Sequence, residues 1–173
     1  MSKNKGKDGE MQVAKLLANV SQTDDNVDFT RQTITNCPDQ GADFIIKHDK
    51  NLLPEFAKIT DSPIKNDNLR NVSQRKNYET RIDVKTTDKK LQKDIVDKFV
   101  QDINNFPNCD GHLLMGGEGL TKQAKKNFDT AQDNQSKKGK NIMYISNKGI
   151  RKLEEHYESQ NKIKTIDDIK NNE

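Results

Sequence analysis

Apolar positions recur along this chain with two different periods, and the changes between them outline an alternating order of helices and strands. Val13, Ala14, Leu16, Leu17 and Val20 form one stripe at helical spacing. Ala42, Phe44 and Ile46 then alternate with Asp43 and Ile45, which predicts a strand entered through Pro38 and Gly41. Arg81-Ile82-Asp83-Val84-Lys85-Thr86-Thr87 alternates again and is rich in β-branched residues. Leu91, Ile95, Phe99 and Ile103 recur every four residues, with Val96 and Val100 alongside, and predict an amphipathic helix that ends before Pro107. Gly111-His112-Leu113-Leu114-Met115 predicts a strand, followed by a Gly116-Gly117-Glu118-Gly119 loop. Thr121 is placed to cap a helix carrying Ala124, Phe128 and Ala131. A strand over residues 141–146 and a last helix with Ile150, Leu153 and Tyr157 turned inward complete the order. This is the pattern of an α/β domain. One domain over residues 6–160 is expected, between a flexible start (1–5) and a polar, flexible tail (161–173).

The alternation also places chemistry. Residues i and i+2 of a strand share a face, so Ile82 and Val84 turn to the core while Asp83 and Lys85 emerge together opposite. A carboxylate and an amine held that way can bind a divalent metal and address a phosphate at once. An exposed ion pair on an edge strand is the plainer alternative. The same tripeptide pattern at Asp88-Lys90 and Asp168-Lys170 falls in polar segments. Asp43 supplies a second carboxylate at the start of an apolar strand, where it needs a cation, donors or water; a turn-capping role is the alternative. Asp39 competes with it, but stands in a Pro-Asp-Gln-Gly turn. Glu10 lies on or beside the first helical stripe, so it either points toward the sheet or simply favours the helix dipole.

The ordered set Gly6…Glu10 on a helix, Gly41-x-Asp43 on a strand and Asp83-x-Lys85 on the next resembles the PD-(D/E)XK nuclease superfamily. Thr121-Lys122-Gln123-Ala124 is similar to the T-x-x-A helix of the Mrr-type restriction endonucleases. The resemblance implies a restriction-endonuclease-like central mixed sheet flanked by helices, from about Gly6 to Tyr157. The stretch 47–81 is longer than a hairpin requires and reads as an insertion. The resemblance further implies a Mg²⁺-dependent DNA endonuclease, with Mn²⁺ able to substitute. Asp43, Asp83 and the Val84 carbonyl would hold the ion, Lys85 would orient water or stabilise charge on the phosphate, and Glu10 would assist. A homodimer is expected for cutting both strands, and a modification or recruiting partner is left open. Within the class, a structure-specific nuclease like archaeal-type Holliday-junction resolvases is the rival. Outside it stands a non-catalytic DNA-binding module keeping the fold.

Charge and composition narrow the alternatives. The chain has 173 residues, 33% of them charged, yet a net charge of only +3, so it is no simple polycation. Its basic residues are locally clustered. Lys65, Arg70, Arg75, Lys76 and Arg81 form one set, and Lys122, Lys125, Lys126, Lys137, Lys138 and Lys140 another. Thr121 and the lysines after it, with Lys65, Arg70, Arg75 and Lys76, are candidate phosphate contacts; a solvated lysine face is the alternative. With 30% hydrophobic residues and a mean hydropathy of −1.07, no apolar run approaches membrane-spanning length. Cys37 and Cys109 make no CxxC, and with no signal peptide they read as reduced thiols of a cytoplasmic protein. The glycine-rich loop is no Walker A motif. His48, His112 and His156 are scattered, and His112 reads as structural.

Overall fold

The computed structural model describes residues 5–32, 41–65 and 77–171. Cys37, Asp39, Arg70, Arg75 and Lys76 therefore lie outside the described residues. The elements are α1 (Lys5–Thr23), β1 (Asp28–Arg31), β2 (Phe44–His48), α2 (Leu52–Thr60), β3 (Tyr78–Lys85), α3 (Lys93–Gln101), β4 (Gly111–Gly116), α4 (Lys122–Ser136), β5 (Asn141–Ile145) and α5 (Asn147–Asn171). The strands form one mixed sheet in chain order. β1, β2 and β3 are antiparallel neighbours, whereas β3, β4 and β5 run parallel. The direction changes at β3.

Two apolar layers cover the sheet. On one face, Val13, Leu16, Leu17 and Val20 of α1 pack with Phe56 of α2 and Leu153 and Tyr157 of α5 on Phe44, Ile46, Ile82, Leu113 and Met143. On the other, Val96 and Phe99 of α3 and Ala124, Phe128 and Ala131 of α4 cover Leu114 and Ile142. Each fully buried aliphatic or aromatic side chain here contributes about 1.5–3 kcal/mol. Ile82 and Val84 face the first layer, as their alternation predicts. The architecture is α/β, a five-stranded mixed sheet between helices. No helix among the described residues is long and apolar enough to cross a membrane.

Several boundaries differ from the sequence expectation. The strand expected from Ala42 begins at Phe44, although the Asp43 amide before it already donates to Ile82 O of β3 at 2.8 Å. Leu91 is not in α3; it forms a bridge with Leu120, its amide donating to Gly119 O and its carbonyl accepting from Thr121. The apolar four-residue period thus starts two residues before the helix does. The 47–81 insertion contributes α2, which ends at Asp61 in a left-handed conformation (φ 53°). α5 continues to Asn171, through residues expected as a loose tail, with Ile163, Ile166 and Ile169 exposed along it. That stretch contains no glycine or proline to end the helix.

Arg81 requires the largest correction. It is counted in the sequence as part of a basic surface cluster, yet it is completely buried in β3. Its Nε donates to His112 Nδ1 at 3.0 Å, Nη1 to Gly41 O at 2.6 Å and Nη2 to Phe99 O at 2.8 Å. The guanidinium also stacks over the Phe99 ring, 4.5 Å from its centroid. Gly41 itself adopts φ +81°, and a Cβ there would fall 2.1 Å from Asp102 Oδ2. Gly41→Ala is therefore expected to destabilise the protein by about 2 kcal/mol or more. Urea unfolding checks this, and an unchanged midpoint would mean the loop is not held as described.

Candidate functional site

β2 and β3 build the centre of the site by their register. Phe44 pairs with Ile82, so the residue before Phe44 and the residue after Ile82 meet on the opposite face. These are Asp43 and Asp83. Asp43 is held by its own backbone bond to Ile82 and by its carboxylate, whose Oδ2 accepts from the Val84 amide at 2.6 Å. Gly41, two residues earlier, is anchored by Arg81. Asp83 is 3% exposed, and Lys85, on the same face two residues on, places its ammonium 2.8 Å from Asp83 Oδ1. The predicted Asp43, Asp83 and Lys85 are thus brought together.

Glu10 reaches the same region from the first turns of α1. It is half-buried and does not point straight into the sheet; Arg31, at the end of β1, takes its Oε2 at 2.7 Å. α1 approaches the end of β3 very closely, since a Cβ on Gly9 would fall 1.9 Å from Thr86 Oγ1. Thr86 Oγ1 donates to Gly6 O at 3.3 Å. Glycine is needed at residue 9 for α1 to come this near, and that approach carries Glu10 to the site.

The electrostatics follow from the crowding. Burial pushes the Asp43 carboxyl up from 3.8 to about 6; the Val84 amide opposes this, Asp83 and Glu10 add to it, and Lys85 offsets part. The Asp43–Asp83 pair attracts a cation, but among the described residues no group of three or more His, Cys, Asp or Glu side chains is placed to hold a metal ion by itself. The donor set fits an ion that keeps several of its waters and takes one or two carboxylates, as Mg²⁺ does.

The predicted basic contacts divide. Lys65 pairs with Asp133 on α4 at 2.5 Å, and Lys125 with Asp129 at 3.0 Å. Thr121 caps α4, accepting from the Ala124 amide at 3.3 Å. The Leu91–Leu120 bridge brings this helix start, and Lys122 with it, beside the 87–91 turn. Lys126 lies further along α4, exposed. Sequence reasoning missed Lys89 and Lys90, which with Lys85 and Glu10 line a cavity of about 400 Å³ at the end of β3. It also missed Arg151, which lines a second cavity beyond Lys85. Their sequence signal is only a short Lys pair and a lone Arg. Gly116 allows β4 to end against β3, since a Cβ there would meet Lys85 O at 1.9 Å.

The histidines lie elsewhere. His112 is buried, and burial, with Arg81 and Lys140 nearby, pushes it down to about 3, so it stays neutral and accepts from Arg81. His48 bonds to Thr80 Oγ1 at 2.8 Å and to Asp49 O at 2.7 Å. Both are structural. Cys109 is buried, and burial raises its thiol to about 11. No known protein family, curated protein or solved structure matches the chain.

Asp43 leaves a thermodynamic signature. Its folded value lies above its unfolded one, so folding favours the protonated acid. That contribution is complete below pH 3.8 and is lost as pH rises through about 6, leaving the ionised carboxylate as a burden at neutral pH. The burden is at most about 3 kcal/mol. Asp43→Asn keeps an acceptor for the Val84 amide and removes the charge. In EDTA it is expected to raise unfolding stability by about 1–3 kcal/mol near neutral pH, the gain vanishing in acid. Urea unfolding across pH tests this; a variant less stable than the parent at neutral pH contradicts it.

Proposed function

We propose that this protein is a Mg²⁺-dependent endodeoxyribonuclease with a restriction-endonuclease-like fold, cutting at the end of β3. One observation carries the reading: Asp43 and Asp83 meet across β2 and β3 while Lys85 pairs with Asp83. The mixed sheet, the delivery of Glu10 by α1 and the lysines along the 85–90 stretch support it. Restriction of foreign DNA in the cytoplasm is the role that suits such an enzyme, and two copies would cut the two strands of a duplex.

In this reading Asp43, Asp83 and the Val84 carbonyl would hold the ion. The ion would supply Lewis-acid polarisation of a phosphate and a more acidic water. Lys85 has a second task. Its ammonium, pinned by Asp83, lies beside the carboxylates, where it steadies charge developing on a phosphate oxygen or orients the attacking water. Asp43, raised to about 6 by its surroundings, is readily charged by a cation that relieves its repulsion from Asp83 and Glu10. Glu10, fixed by Arg31, acts through the water shell. The lysines of the 85–90 stretch bind neighbouring phosphates, giving a salt-dependent affinity.

Supercoiled plasmid incubated with Mg²⁺ or Mn²⁺ is expected to be nicked or linearised. EDTA should stop the reaction, and Lys85→Ala or Asp83→Asn should slow it by about 100-fold or more. Metal-independent cutting, or cutting that survives both substitutions, refutes the assignment. DNA retention without any cutting would favour a binding module.

A further inference from the structure

Two cavities meet at Lys85, one on each side of the contact between α1 and Thr86. The α3 side carries Glu10, Lys89 and Lys90. The other, about 320 Å³, is walled by α1 and by the start of α5 and belongs to no role assigned above. Its lining is two-sided. Val13, Val84 and Ile150 give it an apolar floor, and Lys85, Arg151 and Gln12 give it a polar rim, with the Asp88 carboxylate also present. Val13 and Ile150 are buried, whereas Gln12 and Arg151 are exposed at the mouth. Asn147, at the head of α5, closes one end through its bond to Thr87 O at 2.8 Å.

That combination suits one chemical object. A volume near 300 Å³ is at the small end of ligand sites and is the size of a single nucleotide. An apolar floor suits a base or sugar face, and a guanidinium at the mouth suits its phosphate. A paired base in a duplex cannot descend between two helices without leaving its partner, at a cost least for nucleotides already unpaired. Resting on the nuclease reading, we infer that this cavity binds one unpaired nucleotide beside the scissile phosphate. Arg151 holds its phosphate. The preferred substrate is then single-stranded DNA, or an overhang or flap, ahead of continuous duplex.

Fluorescence anisotropy in EDTA, at matched salt, tests this with a short labelled single strand and a blunt duplex of equal length. The parent protein should bind the single strand about tenfold tighter or more. Arg151→Glu should abolish most of that ratio, and Arg151→Lys should retain part of it; both alter an exposed side chain, and thermal unfolding verifies their folding. A ratio near one in the parent overturns the inference, as does an Arg151→Glu variant weakened equally on both ligands. Selective single-strand binding without metal-dependent cutting would remove the nuclease reading and leave the nucleotide site. Cutting of blunt duplex as fast as single strand would remove the nucleotide site and leave the nuclease.

Discussion

A buried guanidinium organises the centre of this molecule. Taking a charge out of water costs several kcal/mol unless its donors are satisfied. Arg81 meets that requirement with groups from three separate places: the Gly41 carbonyl before β2, the Phe99 carbonyl in α3 and the His112 ring on β4. Each of these is thereby fixed relative to β3. His112 must remain neutral to accept, which its burial next to Arg81 ensures. Gly41 stands two residues before Asp43, so the same interaction that secures the sheet also sets where one carboxylate of the site can lie. Removing Arg81 would withdraw its donors from these acceptors and loosen the segment on which the acid depends.

Against that rigid background the site itself is under electrostatic tension. Asp43 and Asp83 share a face on adjacent strands, and Glu10 is near enough to add its repulsion. Two cations offset this from opposite directions: Lys85 on Asp83, and Arg31 on Glu10. Burial adds a larger effect than this repulsion, and together they leave Asp43 raised to about 6. A core built only for stability would not keep such an acid; a functional site commonly does, at the expense of stability.

The sequence disclosed the parts of this arrangement that depend on period. Alternation from Ile82 to Lys85 assigned the two faces of β3, and the stripe from Val13 to Val20 assigned the buried side of α1. What it could not disclose depends on partners distant along the chain. Arg81 and Lys85 look alike as basic residues of one strand, but only Arg81 is surrounded by acceptors and aromatic rings from α3 and β4. Leu91 continues the apolar period of α3, yet its backbone is claimed by Gly119 and Thr121. Lys89, Lys90 and Arg151 acquire meaning only because the 87–90 turn and the start of α5 converge on the end of β3.

The place where these elements converge follows from topology. β3 is antiparallel to β2 and parallel to β4, so the chain reaches its two flanks by different routes. At the carboxyl end of β3 the exits of β3 and β4 lead toward α3 and α4 on one face, while α1 and α5 cover the other. Connections that diverge in this way leave a crevice outside the strand ends, the usual position for a ligand in an open α/β sheet. α1 fills part of it through its close approach at Gly9, which divides the opening into two cavities. Lys85 lines both, while its ammonium pairs with Asp83. Anything entering either cavity therefore meets the same strand end, whose ion pair Lys85 and Asp83 form.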